Sequence, residues 1–313
     1  MRGRTAHRRL IVPLRKDIWR PAIVERSLQD IVAVGGVGDA RLHWLPEQRP
    51  YAFLADPFGL WRNGLLHLFV ERFDYRDRRG TIELLIYDRH FQLMDRREIL
   101  TEPWHLSYPF VFEANGETWM LPEAHRSGRL TLYRAVDFPF RWEPAAVIPL
   151  DCVAVDATPF HHQGRWWLFY TSASDRESKV AELHVAYSDS LTGEWRPHHR
   201  NPMRQDPVSA RPGGTPVLID DKLLLPVQNC LTTYGGGIAM LDIGTLSTEH
   251  FSARLDGPIA PPHSVMPYAE GMHTLSAAGP VTLIDVKRTK LSVRGLAIEA
   301  RRELARLPAR LRG

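Results

Sequence analysis

The sequence predicts an all-β fold, a five-bladed β-propeller, followed by a C-terminal basic amphipathic helix. Hairpin patterns led by a proline recur five times, at Pro57, Pro109, Pro159, Pro216 and Pro267, with spacings of 52, 50, 57 and 51 residues. A period near 50 residues in strand-like units is typical of propeller blades. A β-sandwich with coincidental spacing is the alternative, but five units agree in both period and internal pattern.

Each unit contains two apolar runs separated by a polar turn, which is the pattern of a β-hairpin. The five hairpins span residues 55–71, 107–123, 156–171, 213–228 and, more weakly, 265–276. A third apolar run follows in four units, at residues 80–87, 128–133, 180–188 and 235–242. We therefore predict that five four-stranded blades occupy residues 40–290.

The two ends of the chain differ from this body in charge. Residues 1–20 hold seven Lys and Arg against one acid, and residues 287–313 hold nine against two. Residues 21–286 are left with 24 basic and 33 acidic side chains, a net charge of −9. An acidic body argues against a propeller face that binds nucleic acid. Residues 1–39 are interpreted as a basic N-terminal segment and residues 291–313 as a C-terminal basic helix.

The predicted helix has an apolar stripe between its arginines. Its members recur at helical spacing and are Val293, Leu296, Ala297, Ala300, Leu304 and Leu307. One interpretation packs this stripe against the flank of the propeller. The other is a basic amphipathic helix that touches an anionic membrane surface or an acidic partner.

Targeting and redox signals are sparse. Residues 1–17 are basic but contain no apolar stretch of the length that a secretory signal needs, and no run of about 18 apolar residues predicts a membrane span. We therefore expect a cytoplasmic protein. A peripheral location at the inner membrane surface is compatible with this expectation. Cys152 and Cys230 lack metal-site spacing and are interpreted as free thiols.

The propeller topology places the candidate site at one end of the central channel. The first strand of a blade lines the channel and the second runs antiparallel to it, so the start of one and the end of the other share a rim. This pairs Asp56 with Glu71, Tyr108 with Glu123, Asp156 with Thr171, and Arg211 with Gln228. Four carboxyl groups then converge as catalytic candidates, namely Asp56, Glu71, Glu123 and Asp156.

Each carboxylate also has a purely structural interpretation. Asp56 precedes a proline and fits a turn, Glu71 precedes Arg72 and fits an ion pair, and Asp156 fits a loop cap. Their recurrence at equivalent positions of the repeat favours a shared role. A carboxylate at the end of an apolar strand destabilises the fold unless it is solvated, paired with another group or has a function.

Paired carboxyl groups suit glycosidic chemistry, in which one protonates the leaving oxygen and another activates water or an acceptor hydroxyl. Trp104, Tyr108, Tyr170 and Tyr234 are aromatic residues that can stack on sugar rings at the same rim. The predicted substrate-binding residues are His105, Tyr108, Arg211, Gln228, His263 and His273. The sequence has no recognised metal-binding spacing, so neither a metal nor a cofactor is predicted.

These motifs resemble those of the five-bladed glycosidase-like propellers, the superfamily that includes glycoside hydrolase family 43. The similar segments are ADP at 55–57, DATPF at 156–160 and YSDSLTGEW at 187–195. The resemblance implies that Asp56 is a general base and that Asp156 tunes the pKa of the acid. The sequence departs from the pattern in the fourth blade, where Gly214 stands in place of the glutamic acid that serves as general acid.

A closer resemblance, over roughly residues 40–290, is to the propeller domain at the N-terminus of plant glucosamine inositolphosphorylceramide transferase. It is carried by residues 43–60, 68–71, 105–124 and 210–217. It implies a setting in glycan or glycolipid biosynthesis. The plant proteins carry a separate glycosyltransferase domain that this sequence does not contain, so the resemblance leaves open whether the propeller itself catalyses a reaction.

Three functional hypotheses follow. In the first, the protein cleaves or transfers a glycosyl unit, with Asp56 as base, Glu71 or Glu123 as acid, Asp156 as modulator, and Arg211 and His105 binding a hydroxyl, carboxylate or phosphate. In the second, it binds a sugar, a glycolipid or a nucleotide sugar without catalysis and positions a partner glycosyltransferase. The third is a purely structural docking propeller, which would expose an apolar patch.

Overall fold

The computed structural model describes residues 15–306 and shows the predicted five-bladed β-propeller. The chain enters through β1 (Arg15–Val24), α1 (Leu28–Val34), β2 (Gly36–Gly38) and β3 (Leu42–Trp44). Blade one is an antiparallel sheet of β4 (Ala52–Arg62), β5 (Leu65–Asp74), β6 (Arg79–Tyr87) and β7 (Leu93–Leu100). Blade two repeats this order with β8 (Ser107–Ala114), β9 (Glu117–Glu123), β10 (Leu130–Asp137) and β11 (Arg141–Ile148).

The third and fourth blades are less regular at their outer edges. Blade three contains β12 (Ala154–His162), β13 (Arg165–Ser172), β14 (Glu182–Ser188), β15 (Arg196–Pro197) and β16 (Arg204–Gln205), with α2 (Ser178–Ala181) before β14. Blade four contains β17 (Arg211–Pro212), β18 (Val217–Ile219), β19 (Lys222–Gln228), β20 (Ile238–Leu246) and β21 (Phe251–Pro262). Strand β2 joins the edge of blade four in parallel with β21.

Blade five joins both ends of the described chain. It consists of β22 (Met272–Ala278) and β23 (Val281–Leu291), followed in the sheet by β1 and β3. The predicted boundary at residue 39 therefore differs from the structure, because Arg15–Val24 is the third strand of a blade and pairs along its whole length with β23. The rest of the predicted basic N-terminal segment, residues 1–14, lies outside the described residues.

The hairpin turns explain why the sequence predicts the first two strands of each blade. In blades one to three, two residues join the first and second strands: Asn63-Gly64, Asn115-Gly116 and Gln163-Gly164. Every one of these residues has a positive φ, from 49° to 77°. This is the geometry of type I′ turns, whose twist matches that of antiparallel strands. Blade four has Asp220-Asp221 at the equivalent turn, with φ values of 48° and 62°.

The core consists of apolar layers between neighbouring blades. Between blades one and two, Phe58 and Phe69 pack with Tyr108 and Trp142, and the rings of Phe58 and Tyr108 meet edge to face at 4.8 Å. A fully buried side chain of this kind stabilises the fold by about 1.5–3 kcal/mol relative to its exposed state. Cys152 and Cys230 are both free thiols.

The C-terminal helix α3 (Val293–Arg306) begins two residues after β23. Its apolar stripe faces away from the propeller, since Val293 is 77% exposed and Leu296 is 36% exposed. Glu299, on the other face, forms an ion pair of 2.7 Å with Lys16. Side chains of the predicted stripe at Leu304 and Leu307 lie outside the described part. No helix between residues 15 and 306 is both long and apolar enough to cross a bilayer.

Candidate functional site

The site begins with an irregularity in the first strand of blade one. The β4–β5 ladder pairs Ala55 with Glu71 and resumes only at Phe58, so that Asp56 and Pro57 form a β-bulge. Asp56 has a φ of 49°. A bulge redirects a side chain out of the regular alternation of a strand, and such features are enriched next to functional sites.

Blades two and three have a β-bulge at the same position of the first strand. Tyr108 and Asp156 occupy the equivalent bulges, with φ values of 45° and 48°. The predicted cross-strand pairs are therefore wrong by one residue in the first three blades. The observed partners are Ala55 for Glu71, Ser107 for Glu123 and Val155 for Thr171, whereas Arg211 pairs with Gln228 as predicted.

Asp56 is held by donors from two other blades. Its carboxylate accepts from the Tyr108 backbone N–H at 3.0 Å and from the Thr274 hydroxyl at 3.2 Å. His273 Nε2 lies 3.4 Å from the same carboxylate, and the Asp56 backbone N–H donates to Asp285 at 2.9 Å. Burial raises the pKa of Asp56 to about 7, although His273 opposes this shift.

His273 bridges two carboxylates. Its Nδ1 lies 2.7 Å from Asp285 Oδ1, which leaves Nε2 directed at Asp56, and its ring stacks on Trp19 with 3.6 Å between centroids. Burial disfavours the imidazolium, but the charges of Asp285 and Asp56 outweigh it and raise the pKa of His273. Asp285, His273 and Asp56 thus form a buried carboxylate–imidazole–carboxylate chain.

The environment of Glu71 favours the neutral form of its carboxyl group. Burial raises its pKa well above the usual range, and the charges of Asp56, Glu123, Asp285 and Asp156 raise it further. These interactions bring all four predicted catalytic carboxyl groups into one electrostatically coupled set, which we call the mouth cluster. It consists of Asp56, Glu71, Glu123 and Asp156.

His105 contacts this cluster through Glu71. Its Nδ1 accepts the Gly80 backbone N–H at 2.8 Å, and its Nε2 lies 3.5 Å from Glu71 Oε1. Burial lowers the pKa of His105 to about 4. A neutral imidazole that accepts at Nδ1 carries its proton on Nε2, so His105 presents an N–H towards Glu71.

Glu123 has the opposite electrostatic environment. It accepts a hydrogen bond of 3.2 Å from the Ser107 hydroxyl and forms a short contact with His125 Nδ1. Burial opposes ionisation of Glu123, but the hydrogen bond and charge of His125 prevail and lower its pKa to about 2. Glu71 and Glu123, each opposite the residue that precedes a bulge, therefore have pKa values shifted in opposite directions.

Asp156 is paired with two predicted substrate-binding residues. Its Oδ2 accepts from Arg211 Nε at 2.7 Å and from Gln228 Nε2 at 2.8 Å. The Arg211 guanidinium also donates to the Lys179 carbonyl at 2.7 Å and lies 4.9 Å from the Tyr234 ring centroid. Burial raises the pKa of Asp156, against the opposing charge of Arg211.

Gly214 explains why blade four lacks a carboxyl group at this level. Its φ is +148°, and a Cβ placed there would lie 1.9 Å from the Leu275 carbonyl oxygen. Its backbone N–H donates to the Tyr108 hydroxyl at 2.8 Å, and that hydroxyl also hydrogen-bonds Thr158 at 2.9 Å. The Leu275 backbone thus occupies the space that a glutamate side chain at position 214 would need.

Two predicted residues lie elsewhere. His263 is 70% exposed in its side chain and pairs with exposed Asp39 at 2.8 Å, at the edge where β2 meets β21. The sequence placed it near the start of a repeat, but the first strand of blade five begins only at Met272. The Tyr170 hydroxyl is engaged by Asp151 at 2.5 Å.

Sequence reasoning missed Asp285, Thr274, Trp19 and Lys287. Asp285 is completely buried and interrupts the apolar run of 281–286, a pattern that signals a used or paired carboxylate. Trp19 carries no such signal, because the basic composition of residues 1–20 indicates a separate N-terminal segment. Lys287 is also fully buried, and its Nζ reaches Thr233 at 3.1 Å and Asp17 at 3.4 Å.

Two groups of side chains have ligand atoms close enough to consider a cation. Asp56, His273 and Asp285 place theirs within 4.8 Å of one another, as do three residues of blade three, Asp151, Cys152 and His184. In the first group, Asp285 already accepts the backbone N–H groups of Asp56 at 2.9 Å and His273 at 3.2 Å. The geometry therefore supports a hydrogen-bonded network among the protein groups.

Comparison with known proteins identifies a family. The sequence model of the protein family named after the N-terminal region of glucosamine inositolphosphorylceramide transferase 1 matches residues 45–258. The chain is 38% identical over 206 residues to glucosamine inositolphosphorylceramide transferase 1 of Arabidopsis thaliana, and the match covers 64% of this chain and 27% of that protein. The protein of the same name from Oryza sativa subsp. indica is 34% identical over 206 residues, covering 64% and 28%. The match thus spans little more than a quarter of these curated relatives.

Solved structures share the fold. The catalytic domain of the GH62 alpha-L-arabinofuranosidase of Coprinopsis cinerea aligns with a TM-score of 0.55 at 11% identity, covering 78% of this chain and 93% of that one. The alpha-L-arabinofuranosidase of Podospora anserina in complex with cellotriose aligns with the same TM-score of 0.55 at 11% identity, covering 79% and 95%. At this level of identity the likeness shows the fold alone.

Proposed function

Because the chain belongs to the family of the N-terminal domain of glucosamine inositolphosphorylceramide transferase 1, we propose that it acts on a glycan or glycolipid in biosynthesis and cleaves or transfers a glycosyl unit at the mouth cluster. The observation that carries this proposal is the divergence of pKa values within one coupled set of carboxyl groups. The pKa of Glu71 is raised well above its usual range, whereas Asp56 has a pKa of about 7 and Glu123 has a pKa of about 2. Neighbouring carboxyls driven apart in this way suit acid and base roles.

This divergence supports an assignment of the roles that the sequence left open. Glu71 is the general acid, because it keeps a proton that it can give to the leaving oxygen. Asp56 is the general base, which takes the proton of water or of an acceptor hydroxyl as the new bond to the sugar forms. Glu123 is not the acid, since its partner His125 keeps it ionised.

The remaining residues position the reactants and the base. His273 orients the Asp56 carboxylate, and Asp285 fixes the His273 ring. His105 presents its Nε2–H towards Glu71. Asp156 acts through its charge on the cluster, while Arg211 and Gln228 hold it in place.

A non-catalytic sugar-binding or glycolipid-binding propeller that positions a partner glycosyltransferase is the second candidate. It is favoured by the buried pair of Asp156 and Arg211, at 2.7 Å, because a carboxylate bound to arginine and glutamine is committed to structure. Gly214, where a glycosidase of the resembled superfamily has its acid, favours the same candidate.

The exposed stripe of α3 supports a further part of the proposal, contact with an anionic membrane surface. Val293 and Leu296 are exposed next to Arg294, in a C-terminal segment with nine basic and two acidic residues at 287–313. An amphipathic helix with this composition suits the interface of a bilayer that carries anionic lipid. Such contact would bring the propeller to a glycolipid substrate.

A thermal-shift screen tests the proposal. The purified chain is incubated with nucleotide sugars, glycolipid head groups and simple glycosides, alongside Asp56→Asn and a control, Glu113→Gln, whose side chain is 55% exposed. A bound ligand raises the melting temperature by mass action. Shifts in all three proteins with turnover lost only in Asp56→Asn support the enzyme, whereas shifts without turnover support the binding module. A complete absence of shifts contradicts both.

A further inference from the structure

A second feature, distinct from the mouth cluster, is a basic pocket between blade five and blade one. Its cavity has a volume of about 240 Å³. The walls come from β1, β23 and the loop that precedes β4. We define the basic pocket by its four cationic lining residues, Arg20, Arg49, Arg288 and Lys290.

The strand register explains why cations gather there. Strands β1 and β23 are antiparallel, with Ile18 opposite Arg288 and Arg20 opposite Val286. Since side chains alternate along a strand, Arg20, Arg288 and Lys290 project from the same face of the sheet. Asp285 and Lys287 project from the opposite face of β23, towards the mouth cluster and Tyr234, so the two sites are separate.

The charges in the basic pocket are only partly balanced. Arg20 pairs with Glu47 at 3.1 Å, and Arg49 pairs with buried Asp74 at 2.7 Å. Arg288 and Lys290 have no carboxylate partner within residues 15–306. The Nε atoms of Arg20 and Arg288 are buried and, in the same part of the chain, meet no hydrogen-bond acceptor.

Aromatic rings hold these cations in place. The Arg288 guanidinium lies 4.8 Å from the Tyr268 ring centroid, and Lys290 Nζ lies 5.2 Å from that of Tyr51. A guanidinium stacked on a ring keeps its N–H groups, at the edge of its plane, free to donate. The pocket therefore offers pre-positioned donors that lack an acceptor.

We propose that the basic pocket binds a phosphoryl group. A phosphate supplies the missing negative charge and acceptor oxygens for Arg288, Lys290 and the edge of Arg20, and arginine binds phosphate through parallel N–H···O bonds. The cavity is large enough for a phosphate ester. The group can belong to a free phosphate or to a lipid head group, and both present the same oxygens to these side chains.

Binding of inorganic phosphate, measured by calorimetry at constant ionic strength with chloride as the reference, tests the proposal. A second arm measures co-sedimentation with phosphatidylcholine vesicles that contain or lack phosphatidylinositol. Both arms use the full chain, Arg288→Gln, Lys290→Gln and a matched control, Arg254→Gln, whose side chain is 73% exposed on β21. Lys290 is an exposed residue at the end of β23, so its variant keeps the test valid if Arg288→Gln does not fold.

We expect phosphate or phosphatidylinositol vesicles to bind the parent and Arg254→Gln, and the affinity to fall roughly tenfold or more in Arg288→Gln and Lys290→Gln, as for the loss of a charged hydrogen bond. Binding of phosphate identifies a free ligand, and binding of vesicles alone identifies a lipid. Binding that both pocket variants retain, or no specific binding in either arm, overturns the proposal. Sugar binding and turnover at the mouth cluster are measured separately, so failure here leaves that proposal standing.

Discussion

At the scale of single residues, the mouth cluster contains chemically similar groups with different ionisation. Glu71 and Glu123 are both buried on the second strands of their blades, and each faces a histidine. The difference is in the contacts. His125 forms a short hydrogen bond with Glu123, whereas His105 lies 3.5 Å from Glu71 and has its pKa lowered by burial. The pKa of Glu123 is therefore lowered, whereas that of Glu71 is raised.

The first prediction concerns stability and Asp56. In the folded protein its pKa is about 7, against an ordinary value of 3.8. Between these values the folded state holds a proton that the unfolded chain has released, so stability that is present below the lower value is lost as the pH rises through the higher one. Asp56→Asn removes this loss. We expect the variant to gain a few kcal/mol relative to the parent between about pH 4 and about pH 8.

Urea unfolding across this pH range measures the effect. Asp189→Asn serves as the control, because that side chain is 87% exposed. A difference between Asp56→Asn and the parent that is constant with pH would show that Asp56 titrates as an ordinary carboxyl group.

The second prediction concerns the buried pair of Arg211 and Asp156. Arg211→Gln leaves the Asp156 carboxylate buried without its cation, which costs about 3–5 kcal/mol of unfolding free energy. The double variant Arg211→Gln, Asp156→Asn should recover most of this loss, because it removes the uncompensated charge. Denaturant unfolding of the single and double variants checks this. A double variant as unstable as the single one would contradict the assignment of a structural ion pair.

The sequence indicated these residues only in part. Asp56, Glu71, Glu123 and Asp156 were found because they recur at equivalent positions of a repeat. Asp285 has no equivalent in the other blades, and Thr274 has no distinctive signal, so recurrence could not identify either. The sequence also does not predict the exact cross-strand partner of each site residue. A β-bulge shifts the register of the two strands, and it leaves no clear pattern in the sequence.

At the scale of elements, the bulges at the starts of the first strands determine what each blade can contribute. Blades one, two and three place Asp56, Tyr108 and Asp156 there at positive φ. Blade four places Gly214 against the backbone of β22, in a parallel bridge to Leu275. The chemistry of the site is thus restricted by which side chains each bulge accommodates.

The third prediction follows from this contact. Gly214→Ala puts a methyl group 1.9 Å from the Leu275 carbonyl oxygen, at a φ of +148°. The backbones must separate, and we expect a loss of more than about 2 kcal/mol of unfolding free energy. Gly237→Ala is the matched control, because its Cβ would meet nothing within 4 Å. Equal melting temperatures for the two variants would contradict the close approach.

The fourth prediction concerns α3 and the membrane. Leu296→Glu places a charge in the exposed stripe, and we expect it to weaken binding to vesicles that contain anionic lipid by roughly tenfold, because apolar burial drives insertion of such a helix. Leu218→Glu, which changes a 45% exposed leucine on β18, is the control. Vesicle co-sedimentation measures both. Equal binding of Leu296→Glu and the control would show that α3 does not take part in the membrane contact.

At the scale of the whole molecule, the N-terminal strand closes the propeller. Strand β1 pairs with β23 over ten residues and with β3, so that blade five combines the two ends of the described chain. It also supplies Trp19 to the stack on His273 and Arg20 to the basic pocket. One strand therefore links ring closure with both proposed sites.

The fifth prediction tests this closure. Ile23→Ala removes a completely buried side chain of β1, which costs about 2–5 kcal/mol. We expect it to destabilise all blades together, so that circular dichroism and tryptophan fluorescence report one shifted transition. Val34→Ala, at a residue that is 68% exposed, is the control. Two separate transitions in Ile23→Ala would show that blade five unfolds independently.

The sequence predicts the five blades better than it predicts how the first and last strands pair to close the ring of blades. The period near 50 residues and the two-residue turns identified five blades and their first hairpins, because turn chemistry is local. The assignment of β1 to blade five depends on pairing between residues more than 250 positions apart, such as Ile23 and Leu283. No local pattern encodes that contact, and the basic composition of residues 1–20 suggested a separate segment.

We propose that Glu71 and Asp56 act as acid and base. The most direct test is the rate of glycosyl cleavage or transfer for the parent, Asp56→Asn, Glu71→Gln and the control Glu113→Gln, on the ligand that the thermal-shift screen identifies. We predict losses of roughly 10²–10⁴-fold in both site variants, with binding retained and the control unchanged. Parent-like rates in Asp56→Asn and Glu71→Gln would contradict the claim.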